Sequence, residues 1–242
     1  MQGYCDFAQF YDALTCDVDY KRITEYYDGL IKKFGGEKGI LLDLACGTGS
    51  ASVLFSEMGY DVIGVDGSEE MLNIALSKEH DGIEYLCQDM CSLDMFGTID
   101  QTVCSLDGIN HLDGAEQVQK AFDLVSLFTN PGGLFLFDAN TVYKHENILG
   151  DNTFVYDLDD LYCVWQNQYA GNGRTDFFLD FFAGEKGVYH RYYDEFSEQA
   201  YPLEQMDKML KRAGFEILAC YEYLTENPPS DTSEKVTYVV RK

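Results

Sequence analysis

Basic residues are scarce in this chain. Its 242 residues include 17 lysines and arginines against 42 aspartates and glutamates, which gives a formal net charge of −25. An electrostatic field of that sign repels phosphate backbones and anionic lipid headgroups, so nucleic acids and membrane surfaces are poor partners. It tolerates neutral or cationic small molecules, and we therefore expect a small-molecule partner. No sequence signal indicates an oligomeric state.

Long apolar runs and paired cysteines are also missing. No run of 18 or more apolar residues could span a bilayer, and no basic segment precedes an apolar one, as in a signal peptide. The eight cysteines form no CxxC pair, and Cys87 and Cys91 have no second pair to complete a zinc site. We expect reduced, buried thiols in a cytoplasmic protein. The acids at 157–160 lack the glycine and terminal glutamate of an EF-hand, so no metal is expected.

Strand and helix patterns alternate along most of the chain. Residues 1–35 are helical up to Gly35 and Gly36, and a turn is expected at 130–133. Five strands separated by amphipathic helices are expected near 39–45, 60–66, 83–87, 99–106 and 134–137, and two more, after a helix, at 215–224 and 236–241. The pattern predicts an α/β fold, doubly wound around a mostly parallel seven-stranded sheet.

A second pattern interrupts the first between residues 141 and 201. This stretch is rich in aromatic residues that alternate with period two from 153 onward, which is typical of β-strands. Glycine-containing turns at 171–173 and 184–187 predict hairpins. We expect three or four antiparallel strands, inserted after the fifth strand of the main sheet.

The strongest candidate site is the segment Asp43-Leu44-Ala45-Cys46-Gly47-Thr48-Gly49-Ser50 between the first strand and the next helix. Glycines there let backbone amides approach a ligand. The third glycine of a dinucleotide fingerprint is replaced by Ser52, and the lysine of a P-loop is absent. Asp66 and Asp89 end the next two strands, where they could bind an adenosine or could serve as helix or turn caps.

These segments carry a resemblance to a known family. DLACGTGS, GVDGSEEML and CQDM resemble the motifs of class I S-adenosylmethionine-dependent methyltransferases, and FAQFYDALT and TFVYDLDD…VWQNQY resemble a subgroup of bacterial small-molecule methyltransferases that includes sugar-amine N-methyltransferases. The resemblance implies a Rossmann-like methyltransferase fold in residues 1–140 and 202–242, with residues 1–35 as a helical lid and 141–201 as an inserted subdomain. It also implies methyl transfer from S-adenosyl-L-methionine to nitrogen or oxygen of a small molecule.

The resemblance further implies cofactor contacts. Asp43 would help to hold the ammonium group, either directly or through water. Asp66 would bind the ribose hydroxyls, and Asp89 would lie at the adenine edge. The full set of expected cofactor-binding residues is Tyr11, Asp43, Ala45, Gly47, Gly49, Asp66, Gly67, Met71, Asp89, Met90 and Leu106.

Residues after the fourth strand are candidates for catalysis. His111 could accept a proton near neutral pH, or could instead cap the following helix. Asp107 is expected to orient substrate or cofactor rather than act as a base. The candidate substrate-binding residues are Asn110, Trp165, Tyr192 and Tyr193, although the last three could simply pack within their sheet.

Two other functions remain open at this point. One is an NAD(P)-dependent oxidoreductase, which Ser52 argues against. The other is a catalytically silent cofactor-binding or sensor protein, because a fold does not by itself establish turnover.

Overall fold

A seven-stranded sheet forms the centre of the computed structural model, which describes residues 7–185 and 188–242. Its strands, numbered in chain order with those of the second sheet, are β1 (Ile40–Leu44), β2 (Asp61–Asp66), β3 (Ile83–Cys87), β4 (Ile99–Cys104), β5 (Thr129–Asn140), β10 (Glu216–Glu222) and β11 (Lys235–Arg241). Their order is β10-β11-β5-β4-β1-β2-β3. Strands β1 to β5 pair in parallel, and β11 is antiparallel to both of its neighbours. The predicted doubly wound, mostly parallel fold is confirmed.

Seven α-helices accompany the strands in the described part of the chain. They are α1 (Ala8–Leu14), α2 (Tyr20–Lys33), α3 (Ser50–Glu57), α4 (Glu69–Ser77), α5 (Ala115–Phe128), α6 (Val142–Lys144) and α7 (Leu203–Arg212). Ser68 caps α4, because its hydroxyl accepts a hydrogen bond from Met71 N at 3.2 Å. No sequence pattern indicated α6 or the π-helical turn at His145–Leu149 that follows it.

One expectation about this sheet needs correction. The predicted turn at 130–133 lies inside β5, where pairing with β4 jumps from Thr129 to Leu134 and Gly132 adopts a positive φ of 85°. The residues do form a turn, but the turn is a bulge within a longer strand.

Apolar side chains cover both faces of the sheet. One layer packs α5 and α7 against Leu44, Phe135 and Phe137. The other packs α2 and α3 against Leu41 and Val103. Burial on both faces explains why these strands read as nearly continuous apolar runs.

The second sheet is antiparallel and has four strands. These are β6 (Thr153–Leu158), β7 (Leu161–Gly171), β8 (Arg174–Glu185) and β9 (Val188–Gln199), which pair in that order. The hairpin at 171–173 is confirmed, with Asn172 and Gly173 both at positive φ. Part of the second predicted hairpin, residues 186–187, lies outside the described residues.

The inner face of the second sheet packs against the N-terminal helix. Phe177, Leu179 and Phe181 of β8 are buried in one cluster with Phe10 of α1 and Met71 of α4. The rings of Phe10 and Phe181 are stacked, with centroids 4.9 Å apart. The second sheet therefore holds α1 against α4. In the part of the chain that the structure describes, no helix has the length and apolar character needed to cross a bilayer.

Replacement of Phe122 by alanine tests the main core. Phe122 of α5 is fully buried and packs its ring 5.4 Å from that of Phe137. We expect Phe122→Ala to lower the free energy of unfolding by about 3–5 kcal/mol, measured by urea denaturation. Leu127→Ala on the same helix is the control, because that side chain is 62% exposed. Equal losses in the two variants would contradict this packing.

Candidate active site

A cavity opens at the carboxyl ends of β1, β2 and β4, where neighbouring strands lead to opposite faces of the sheet. It encloses about 970 Å³ of space, part of which is open solvent at its mouth. Ligands of open α/β sheets bind at this kind of position. The predicted site residues that line the cavity are Tyr11, Ala45, Gly47, Asp66, Gly67, Met71, Met90, Leu106 and His111.

The glycine loop between β1 and α3 forms the floor of the cavity. Ala45, Gly47 and Gly49 all have positive φ, at 59°, 53° and 73°. A Cβ at Gly47 would meet no protein atom within 4 Å, so the backbone there faces open space. Gly49 differs, because it does not line the cavity and a Cβ there would lie 2.4 Å from Tyr85 Oη. Packing alone therefore requires glycine at position 49.

Asp66 fastens this loop to the end of β2. Its Oδ2 accepts a hydrogen bond from Gly47 N at 2.8 Å, and its Oδ1 accepts one from Ser68 N at 2.8 Å. Burial raises the pKa of Asp66, and the two backbone donors oppose that shift. Each carboxylate oxygen can accept a further hydrogen bond, so Asp66 can hold the loop and a ligand hydroxyl together.

Asp43 lies beneath the loop and not in the wall of the cavity. It is 1% exposed, and its Oδ2 accepts a hydrogen bond from the buried hydroxyl of Ser52. Its Oδ1 has no hydrogen-bond partner among the described residues, and burial raises the pKa of Asp43 to about 6. Ser52 thus serves as a buried donor at the position where a dinucleotide fingerprint has its third glycine.

The wall beyond β3 is less polar than we expected. Asp89 is exposed, caps the short 3-10 helix at Met90–Ser92 through Cys91 N, and does not line the cavity. Its capping role was the alternative interpretation, and the structure favours that alternative. Met90 and Gln88 form the wall instead.

A second turn at positive φ follows β4. Leu106 and Asp107 have φ of 54° and 56°, a conformation unfavourable for residues with side chains. Asp138 of β5, which is fully buried, accepts hydrogen bonds from both backbone amides, at 2.9 and 2.7 Å. Tyr27 of α2 donates a third to the same carboxylate at 2.8 Å. These charge-assisted bonds stabilise the turn that carries Leu106 to the cavity.

The carboxylate of Asp107 points away from the cavity into a buried ion pair. Its Oδ1 lies 2.9 Å from Nζ of Lys235, and its other oxygen accepts a hydrogen bond from Asn140. Burial alone would raise the pKa of Asp107, but the ammonium groups of Lys235 and Lys144 reverse the shift and hold it well below its usual range. Asp107 is therefore ionised throughout the neutral pH range and fixed in place.

His111 and Asn110 end the 3-10 helix at Gly108–His111 and have different surroundings. The imidazole of His111 lines the cavity and packs 5.4 Å from the Phe196 ring. Asn110 is buried and donates to the carbonyls of Asn140 and Gln199. Because these bonds join β5 to β9, Asn110 connects the two sheets and is withdrawn as a substrate-binding candidate.

The N-terminal segment covers the cavity. Tyr11 lines it as predicted, and Phe7 and Tyr20 do so as well. Asp12 of α1 accepts a hydrogen bond from Thr48 Oγ1 at 2.6 Å and pairs with Nζ of Lys78 at 3.0 Å. This pair of contacts fastens the lid helix to the glycine loop.

The aromatic residues of the second sheet act through that lid. Trp165 packs edge-on against Phe7, and Tyr192 against Phe10. Neither lines the cavity. Tyr193 lies on the outer face, exposed and bonded to Glu195, so it is withdrawn as a candidate for substrate contact.

Several lining residues lie inside the motifs but were not named individually as site residues. They are Phe7, Cys46, Thr48, Ser50, Val65, Ser68 and Gln88. Ala51, Ser105, Gly108 and Leu112 lie next to the motifs or to the candidates after β4, and could have been found by extending those segments by one or two positions. Tyr20 carried no local signal, because only the path of the N-terminal segment brings it here. Within residues 7–185 and 188–242, no three His, Cys, Asp or Glu side chains are placed to hold a metal.

The sequence and the fold of this chain are similar to those of known methyltransferases. The methyltransferase-domain family matches residues 41–133. YqeM of Bacillus subtilis (strain 168), a methyltransferase by name, is 32% identical over 99% of this chain and 97% of its own. A crystal structure of an S-adenosylmethionine-dependent methyltransferase from Clostridium acetobutylicum ATCC 824 has a TM-score of 0.89 at 31% identity, covering 98% of both chains. The sugar N-methyltransferase KedS8 from Streptoalloteichus sp ATCC 53650 has a TM-score of 0.82 at 18% identity, covering 100% of this chain and 95% of that one, and supports the fold alone.

The raised pKa of Asp43 predicts a pH-dependent stability. A carboxyl group that titrates near pH 6 when folded and near pH 4 when unfolded stabilises the fold fully below pH 4, and that contribution is lost as the pH rises through 6. We therefore expect Asp43→Asn, relative to the natural protein, to gain about 2 kcal/mol in free energy of unfolding between pH 4.5 and 7.5. Urea denaturation at the two pH values measures this. A constant difference between the two proteins would show that burial does not raise this pKa.

Proposed function

The chain belongs to the S-adenosylmethionine-dependent methyltransferases, and on that premise we propose that it transfers a methyl group to a nitrogen or oxygen atom of a small molecule. The observation that carries the proposal is the cavity over the glycine loop, with the Asp66 carboxylate in one wall and an imidazole in another. The net charge of −25 suits a neutral or cationic acceptor.

The described residues fit the cofactor in its expected orientation. The backbone of Gly47 faces open space, so the ribose or the methionine chain of the cofactor could lie against it. We propose that Asp66 accepts hydrogen bonds from the ribose hydroxyls, and that Met71 and Met90 enclose the adenine. Asp43 lies too deep to line the cavity, so we propose that it acts on the ammonium group through water, using its unpartnered Oδ1.

S-adenosylmethionine, when bound, supplies an activated methyl group on a sulfonium. The protein then has to align the acceptor and exclude water, and orientation of this kind can lower a barrier by roughly 7–11 kcal/mol. We propose that Phe7, Tyr11 and Tyr20 close the cavity from above, with the pair Asp12 and Lys78 holding them there. In this arrangement residues 1–140 and 202–242 bind the cofactor, and residues 141–201 form a subdomain that supports the lid.

His111 is the candidate for proton transfer. A base is needed only when the acceptor arrives protonated, and among the residues of the cavity wall His111 alone is a histidine. Asp107 does not suit this role, because its carboxylate is held in the ion pair with Lys235. We propose that Asp107 fixes the backbone that presents Leu106 and His111.

Substitution of Asp66 tests cofactor binding. We expect Asp66→Ala to weaken binding of S-adenosylhomocysteine by about 10- to 100-fold in calorimetry, because the ribose loses a charged acceptor. Asp61→Ala is the matched control, because Asp61 is exposed at the opposite end of the same strand. Unchanged affinity in folded Asp66→Ala would remove the assignment.

A screen of acceptors tests the reaction itself. Small amines and hydroxyl compounds are incubated with S-adenosylmethionine and the protein, and release of S-adenosylhomocysteine is measured. We expect turnover with at least one compound, and a loss of about 100-fold in His111→Gln with little change in cofactor affinity. Tight cofactor binding without turnover for any compound would favour a sensor, and tight NAD binding without S-adenosylmethionine binding would favour an oxidoreductase.

A further inference from the structure

A buried carboxylate lies next to the imidazole of His111. Glu198 of β9 is 6% exposed, and its Oε1 is 3.9 Å from Nε2 of His111. Its Oε2 is 3.5 Å from Nε2 of His145, a second imidazole that is completely buried. One carboxylate therefore faces the Nε2 atoms of two histidines, of which only His111 lines the cavity.

The position of Glu198 is fixed by hydrogen bonding. Asn140 Nδ2 donates to its Oε2 at 3.1 Å, and the same amide group donates to Asp107. The side-chain oxygen Oδ1 of Asn140 accepts a hydrogen bond from Nζ of Lys144 at 2.9 Å. The carboxylate cannot turn away from the two imidazoles without breaking this chain of contacts.

Neither lysine of this cluster neutralises Glu198 directly. Lys235 pairs with Asp107 and Asp138, at 2.9 and 3.2 Å, and Lys144 bonds to an amide. Lys144 therefore acts on Glu198 through space and not through a direct ion pair. A buried carboxylate without a direct ion pair is costly, so the N–H groups, or the positive charge, of the imidazoles add to the stabilisation from Asn140 and Lys144.

The surroundings of His145 and Glu198 shift the pKa values of both groups. Burial and the Lys144 charge lower the pKa of His145 to about 4, so it is neutral at physiological pH, and its Nδ1 lies 3.0 Å from Thr175 Oγ1. Burial and the negative charge of Asp107 raise the pKa of Glu198, and His111 opposes this shift.

His111 is also surrounded by other charges. Asp66 on β2 and Asp107 in its own loop each interact with it electrostatically. The charge of His111 in turn acts on His145. Among the described residues, Glu198 has a carboxylate oxygen within 4 Å of a ring nitrogen of His111.

We propose that Glu198 is a positioning residue for His111, which keeps the ring proton on Nε2 and leaves Nδ1 as the proton acceptor. A lone pair on Nε2 would face the carboxylate and be repelled, whereas an N–H there is attracted. The separation of 3.9 Å exceeds a hydrogen bond, so the effect is electrostatic. When His111 takes a proton from the acceptor, the same carboxylate stabilises the imidazolium. The inference rests on the role proposed for His111, and it adds the residue that determines which ring nitrogen of His111 carries the proton.

Nitrogen-15 NMR of the histidine rings tests this without turnover. Two-bond proton–nitrogen correlations are recorded at pH 8 on the natural protein saturated with S-adenosylhomocysteine, with His111→Gln and His145→Gln used for assignment. We expect the Nε2–H tautomer for both histidines. In Glu198→Gln the ratio of Nε2–H to Nδ1–H should fall by about tenfold at His111. Glu195→Gln, the same change at an exposed position of the same strand, should leave the ratio unchanged.

The outcomes separate the two proposals. An Nδ1–H tautomer at His111 in the natural protein would overturn the positioning role even if Glu198→Gln does not fold. An unchanged ratio in a folded Glu198→Gln that binds S-adenosylhomocysteine would also overturn it and leave the proposed function intact. Failure of the natural protein to bind S-adenosylhomocysteine would overturn both.

Discussion

The shape of the cavity depends on two backbone turns, each of which is stabilised by hydrogen bonds from its backbone amides to a carboxylate. After β1, the glycine loop takes positive φ at Ala45 and Gly47, and Asp66 accepts a hydrogen bond from Gly47 N. After β4, Leu106 and Asp107 take positive φ, and Asp138 accepts hydrogen bonds from both amides. Left-handed backbone at residues with side chains costs about 1–2 kcal/mol each, and charge-assisted bonds offset that cost. Neighbouring strands therefore end in turns that diverge and leave space between them.

The same carboxylates determine the electrostatics of the site. Asp138 and Asp107 share Lys235, and the Asn140 amide links Asp107 to Glu198. The acids that support the backbone are thus coupled to the one that faces His111. This polar cluster lies at the junction of the two sheets, where α6 supplies Lys144 and β9 supplies Glu198.

The fold was readable from the sequence to a large extent, and the site only in part. The strands β1 to β5 and the glycine loop have local signatures, so their order and the position of Asp66 followed from patterns. Glu198 and Lys235 have no such local signature. Strand periodicity predicts which face of a sheet a residue occupies, but it does not predict which residue, distant in sequence, the side chain contacts. Asn110 and Tyr193 were misjudged for that reason. Asn110 joins β5 to β9, and Tyr193 alternates to the outer face of its strand.

A crystal structure of the protein with S-adenosylhomocysteine tests the central claim most directly. The account predicts the nucleoside over the glycine loop, with both ribose hydroxyls within hydrogen-bonding distance of Asp66 and the sulfur atom facing the turn at Leu106. A ligand bound outside this cavity, or bound in it with the ribose away from Asp66, would contradict the account.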